Sequence, residues 1–281
     1  MGGLTPPPYD ISGASAEQIA EEIATAERNR LGIGDGPLSN LRERLENDVG
    51  LRIFYFPMAS KVAGLFAYND VLGGCIGINS GHPSDRRHWS LAHECGHFLT
   101  GRCQSEITLL SEKKRLSVRE RCADSFAKYF LMPSSGLNRR FTEMHRSSER
   151  GITLVHVCSL ANLYQVSVQA LVVRFEELRR LPSGTWERLE AEGFRVRRAQ
   201  QLLGIEANPS VKHLLPQRYV DLAILAYHQG KISEGQLARL LRTDRVGARM
   251  QVENASHRFN TETDDNFTGI ELDLAAQLDG R

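Results

Sequence analysis

The sequence has almost no excess of charge of either sign: 35 Lys and Arg stand against 34 Asp and Glu, a formal net charge of +1. That balance argues against a protein whose main work is coating nucleic acid or an anionic membrane, while leaving room for a local basic patch. Cysteine is scarce. Cys75, Cys95, Cys103, Cys122 and Cys158 are odd in number and are not spaced as a disulfide framework. No apolar run approaches the roughly 18 residues of a membrane span. Residues 1–10 are proline-rich and lack the basic and apolar regions of a signal peptide. There is no internal repeat and no low-complexity tract. What remains is an average globular composition, 41% hydrophobic and 25% charged over 281 residues. The expectation is a reduced, soluble, cytoplasmic chain with one large domain and a smaller extension.

Ser15 to Gln18 has the form of a capping box, with Ile19, Ile23 and Ala26 following at helical spacing. Leu38, Leu41, Leu45 and Val49 mark a second amphipathic helix stopped by Gly50. Three strand-like runs, 51–56, 62–68 and 74–79, come next, the last two forming a hairpin across Asn69-Asp70 and Gly73-Gly74. Ser84 can cap a helix reaching about Thr100, and Ser117 to Glu120 opens another that Pro133 ends. Helical patterns fill 154–181 and 216–252, separated by an Arg- and Glu-rich stretch. From Glu253 onward acidic residues dominate.

The sharpest chemical signal is His93-Glu94-Cys95-Gly96-His97, flanked by Trp89, Leu91, Ala92 and Leu99. Histidines four apart on a helix project from one face and can grip a single tetrahedral cation. The glutamate after the first histidine is then placed to act as base toward a water that the ion activates. A catalytic zinc site needs a third protein ligand and an open position. Glu120 and Asp124, also four apart, offer a ligand and a hydrogen-bond acceptor that would fix a histidine's tautomer. Against this, Glu120 is also the fourth residue of the Ser117 capping box, where it need do no more than bond a backbone N–H. Glu106 and Glu112 are rivals on a polar loop. His145, His156, Tyr129 and Tyr164 are candidate donors to a developing oxyanion. The strand ending at Ile78 and Asn79 is expected to present an edge to which an extended substrate adds.

These motifs, with Arg86 to Ser90 before the histidines, Glu120 to Ala127 leading to Leu131-Met132-Pro133, the strand Gly77-Ile78-Asn79, and Leu160-Ala161, Val166-Ser167, Ala170-Leu171 and Arg174, resemble the ImmA/IrrE family of zinc-dependent endopeptidases over about 15–180. The resemblance implies an α+β, zincin-like metallopeptidase core: a small three-stranded antiparallel sheet packed on helices, followed by a helical extension. It implies one zinc ion, or another divalent metal in the cell, held by His93, His97 and Glu120, with Glu94 as catalytic base. It further implies a protein substrate, a helix-turn-helix transcriptional repressor whose cleavage relieves repression of stress-response, prophage or mobile-element genes. Cys95 stands where an aliphatic residue is usual in the family, and Asp124 where asparagine is common. The expected organisation is a flexible N-terminus over 1–14, the metallopeptidase domain over 15–180, the helical extension over 181–252 and a loosely ordered acidic tail over 253–281.

The competing reading is a DNA-binding regulator that keeps a metal site without peptidase activity. Leu160-Ala161 through Val166-Ser167 to Arg174 has helix-turn-helix character, and Leu237-Ala238, Thr243-Asp244 and Val246 form a weaker version. The arginines between 174 and 198 alternate with glutamates, which marks a solvated helix face more than a phosphate-binding stripe, so direct nucleic-acid binding is not favoured. Cys95 and Cys122 lie in the two motif helices and would form a redox pair only if accessible; free cysteines are more often small buried packing residues.

Overall fold

The structure, a computed structural model, describes residues 6–12, 15–38, 40–102, 106–109, 117–149, 151–205 and 214–260. It divides into two compact units, Met1–Pro216 and Gln217–Arg281.

The first unit begins with helix α1 (Ala16–Arg30), whose Ser15 hydroxyl accepts the Gln18 N–H, as the capping pattern predicts. Its buried stripe, Ala16, Ile19, Ala20, Ile23 and Ala24, packs along α4 (Val118–Leu131). Arg28 on the same helix is buried and donates to the carbonyls of Gly34, Gly36 and Phe130, so it ties the following loop and the end of α4 to α1. A short α2 (Leu41–Arg44) widens into a π-helical turn (Leu45–Val49), which Gly50 closes at φ 80°.

Strands β1 (Arg52–Phe56), β2 (Val62–Asn69), β3 (Gly73–Asn79) and β4 (Glu106–Leu109) form one mixed sheet in the order β1-β3-β2-β4. The α+β class with a helical extension is as expected, but the sheet is neither three-stranded nor purely antiparallel. β2 pairs antiparallel with β3 through the expected hairpin, in which Asn69 Oδ1 accepts from the N–H groups of Val71 and Leu72. The chain leaving β1 passes over one strand position to reach β2, so β3 returns into the gap and pairs parallel with β1, Ile53 opposite Ile76. The fourth strand comes from the segment read as polar loop; it pairs antiparallel with β2.

Helix α3 (Ser84–Gly101) lies across the sheet, with the Phe98 ring edge-on to Phe66 at 6.0 Å, and packs against α4 on its other side. Pro133 ends α4 and also caps α5 (Ser134–Ser147), so the stop signal is at once a restart. Helices α6 (Leu154–Tyr164), α7 (Val168–Glu177), α8 (Thr185–Ala191) and α9 (Val196–Leu202) complete this unit. Leu160, Leu171, Phe175 and Trp186 join its core, so 181–216 belongs with the metallopeptidase unit and not with the extension. Among the described residues no single helix is long and apolar enough to cross a membrane.

The second unit consists of α10 (Gln217–His228), α11 (Glu234–Leu240) and α12 (Arg245–Asn260). Helix α12 runs eight residues past the expected start of the acidic tail at 253; residues 261–281, the rest of that tail, lie outside the described residues.

Candidate active site

His93 and His97 both lie on the buried face of α3, with 3% and 0% of their surfaces exposed. Their rings meet edge to face, and their Nε2 atoms are 3.0 Å apart. Glu120 approaches from the first turn of α4, one carboxylate oxygen 3.4 Å from His93 Nε2 and the other 3.4 Å from His97 Nε2. Gly96 makes this approach possible: a Cβ there would sit 3.1 Å from the Ala123 backbone, so the two helices touch where the motif has no side chain. Only the Ser117 half of the capping box forms, and Glu120 does not return a bond through its carboxylate. Its backbone N–H is capped by the Ser117 hydroxyl at 3.2 Å, while its side chain turns to the histidines.

Asp124, one turn further along α4, accepts a 2.8 Å hydrogen bond from His93 Nδ1. When the ring is neutral, that bond keeps the proton on Nδ1 and turns the Nε2 lone pair toward His97 and Glu120. Burial alone would lower the His93 pKa, but hydrogen bonds to Asp124 and Glu120 and the charges of Asp124 and Glu94 outweigh it and raise it to about 10. The same bonds from His93 and His97 hold the Glu120 carboxyl far below its usual range. The two directions report one pairing: the acidic groups favour the charged form of His93, and the histidines favour the charged form of Glu120.

The donor set suits a metal ion. One ligand atom from each of His93, His97 and Glu120 lies within 4.8 Å of the others. A tetrahedral ion with bonds of about 2.0–2.1 Å requires its ligand atoms roughly 3.3–3.4 Å apart. The observed separations of 3.0, 3.4 and 3.4 Å match that requirement closely.

Glu94 is fully buried, and neither of its carboxylate oxygens has a hydrogen-bond partner among the described residues. Burial raises its pKa, opposed by the charges of His93 and His97 and by the nearby Thr108 hydroxyl. A carboxylate moved toward neutrality in this way is a better proton acceptor at physiological pH. Two residues that sequence reasoning missed define its surroundings. Thr108 comes from β4, and Gly64 of β2 lies so close that a Cβ there would be 2.5 Å from Glu94 Oε1. The register of β2 against β4 slips between Val62 and Gly64, next to this contact.

Several expected placements are corrected. β3 is an internal strand, so Ile78 and Asn79 present no edge; both are buried, and the Asn79 amide binds the carbonyls of Ala59 and Val62. Of the oxyanion candidates, His156 caps α6 and His145 stacks on Phe141. Tyr129 lies under Lys128 and Arg174, and the Tyr164 hydroxyl is buried near Gly136. Glu106 falls on β4, while Glu112 lies outside the described residues. Cys95 and Cys122 are buried, 2% and 0% exposed, and burial pushes both thiols up, which is the setting of packing residues and not of a redox pair.

A His-Glu-x-x-His helix completed by a carboxylate from the next helix, with a small mixed sheet alongside, defines a metallopeptidase core of the zincin type. Residues 46–176 match the Peptidase M78 family model, the IrrE N-terminal-like domain, which supports a metallopeptidase of the ImmA/IrrE type. No curated protein matches the chain.

Proposed function

We propose that this chain is a zinc-dependent, site-specific endopeptidase of the cytoplasm. Its substrate in this reading is a helix-turn-helix (XRE-type) transcriptional repressor, and cleavage relieves repression of stress-response, prophage or mobile-element genes. The observation that carries the proposal is the convergence of His93, His97 and Glu120 beside the buried Glu94. His93, His97 and Glu120 would hold one zinc ion, which supplies Lewis-acid polarisation of the scissile carbonyl and lowers the pKa of water toward neutrality. Asp124 positions His93 through the Nδ1 bond. Glu94 accepts the proton of the attacking water and returns it to the departing amine nitrogen, so that it finishes each turnover ionised.

An extended substrate needs a free sheet edge. The outer side of β1 is taken in part by Leu214, whose carbonyl accepts the Tyr55 N–H at 2.8 Å. β4 is the opposite edge, and its Thr108 adjoins Glu94, so β4 is the strand to which we assign substrate pairing. The test is incubation of the purified chain and zinc with a small helix-turn-helix repressor encoded beside it. A single cleavage is expected, reduced at least about 10²-fold in Glu94→Gln through loss of the general base. Undiminished cleavage by that variant would sink the mechanism.

A further inference from the structure

The first unit contains a helix-turn-helix whose helices, α6 and α7, are bent by 105° to each other. Its turn is defined by backbone bonding. Gln165 adopts a left-handed φ of 53° and donates to Asn162 O, Val166 donates to Ala161 O at 3.0 Å, and the Ser167 hydroxyl caps the Ala170 N–H. The second unit repeats this turn bond for bond. Arg242 adopts φ 53° and donates to Arg239 O, Thr243 donates to Ala238 O at 3.0 Å, and Asp244 caps the Gly247 N–H at 2.7 Å. Leu-Ala precedes both turns, at Leu160-Ala161 and at Leu237-Ala238. α11 and α12 are thus joined by the same turn, with the Leu-Ala and cap positions of the first motif.

The two differ in what their second helix exposes. α7 buries Val168, Leu171, Val172, Arg174 and Phe175 in the core. Among the described side chains of α12, the buried ones are small, Ala248 and Ala255. It exposes Arg245, Val246, Arg249 and Met250, which fall at i, i+1, i+4 and i+5 and share a face, with exposed Arg242 just before them. These are the N-terminal positions from which the second helix of such a motif reaches base edges in the major groove. Arginine suits guanine and phosphate, and Val246 and Met250 suit the thymine methyl. Over 217–260 there are seven Arg or Lys against four Asp or Glu, a local excess that the overall charge of +1 conceals. Asp244 is spent on the cap, and Glu234 pairs with Arg249 at 3.0 Å, an exposed pair that a phosphate can displace at small cost.

We propose that α10–α12 is a duplex-DNA-binding module with α12 as the helix that enters the major groove. It does not depend on the peptidase reading. The experiment uses the full chain and a fluorescein-labelled duplex of random sequence, about 30 bp, with anisotropy followed between roughly 50 and 200 mM KCl. Binding should weaken steeply with salt. The triple substitution Arg242→Ala, Arg245→Ala and Arg249→Ala should weaken it at least about tenfold at the low salt and flatten the log–log salt slope by about 2–3. Val246→Glu, at a side chain 63% exposed and so neutral for folding, should also weaken binding. Glu94→Gln should bind as the wild type does, which separates this site from the catalytic one. Absence of salt-sensitive binding, or wild-type affinity and slope in both the triple variant and Val246→Glu, overturns the proposal. Binding of a repressor protein, and not DNA, through the same face would overturn it too.

Discussion

At the residue scale, the position of Glu94 depends on an atom that Gly64 does not have. A Cβ at 64 would lie 2.5 Å from Glu94 Oε1 and 3.1 Å from its Cδ and Cγ, but meets nothing nearer in the backbone. The strain in Gly64→Ala is therefore relieved by moving the carboxylate, and the fold should survive. We expect at least a roughly 10²-fold fall in kcat, as follows from displacing a general base. Zinc content should be unchanged, because the atoms nearest a Cβ at 64 all belong to Glu94 and not to His93, His97 or Glu120. Retained kcat in a crystal-verified Gly64→Ala, or loss of zinc with the activity, would contradict this. Nothing at position 64 hints at the role in sequence; it arises where β2 and α3 meet, thirty residues apart. The ligand set is the opposite case. Its chemistry is written in spacings of four residues on two helices, and those spacings survive folding.

His88, on the same helix, is a buried imidazole with a different fate. Burial pushes its pKa down to about 4, partly opposed by a hydrogen bond to the Leu38 backbone, and its Nε2 has no partner among the described residues. An unfolded histidine titrates near 6.5. Between these values the unfolded chain binds the proton and the folded chain does not, so stability is complete above about pH 6.5 and falls toward pH 4. The loss at the acid end is of order 3 kcal/mol. His88→Asn keeps a side-chain donor for the Leu38 carbonyl but cannot titrate, and urea unfolding of the variant should show a shallower decline over this range. Equal slopes in both proteins would remove His88 as the cause.

At the scale of elements, the legible features are those that neighbours in sequence decide. The caps at Ser15 and Ser117 accept the N–H three residues on, because a hydroxyl at that spacing reaches the unpaired donors of a first turn whatever surrounds it. The hairpin of β2 and β3 is legible for the same reason. Sheet order is not. Parallel pairing of β1 with β3 is settled by which strand fills the space beside Ile53, a contact without local signature. β4 escapes because its four residues, Glu106–Leu109, show no alternating pattern strong enough to stand out from a polar loop. The unread pairing of β1 with β3 is also what misplaced a free edge onto Ile78 and Asn79, since β1 and β2 occupy both sides of that strand. Apolar periodicity found α6 and α7 but could not tell that α7 turns inward; the same turn at α11 and α12 leaves the second helix facing out.

On the scale of the whole molecule, the two units differ in how much core each possesses. The first runs a continuous cluster from Ala16 to Trp186. Among its described residues the second buries Ala223, Ile224, Leu237, Ala238, Leu241, Ala248 and Ala255, of which four are alanines that remove little apolar surface from water. So small a core supports only marginal stability. Calorimetry of the full chain should accordingly show two transitions, the lower belonging to Gln217–Arg281 and the upper to Met1–Pro216. Each should answer to its own ligand. Zinc at about 1,000 times its Kd adds about 4 kcal/mol to the state that binds it. For a unit of roughly 200 residues that raises Tm by on the order of 10 °C. A chelator should therefore lower the upper transition by that amount, zinc should restore it, and His93→Ala should make it indifferent to both. Duplex DNA should raise the lower transition and leave the upper one in place. A single transition moved together by chelator and DNA would mean that the halves unfold as one, and that separate ligand sites on separately folding units is the wrong description of this chain.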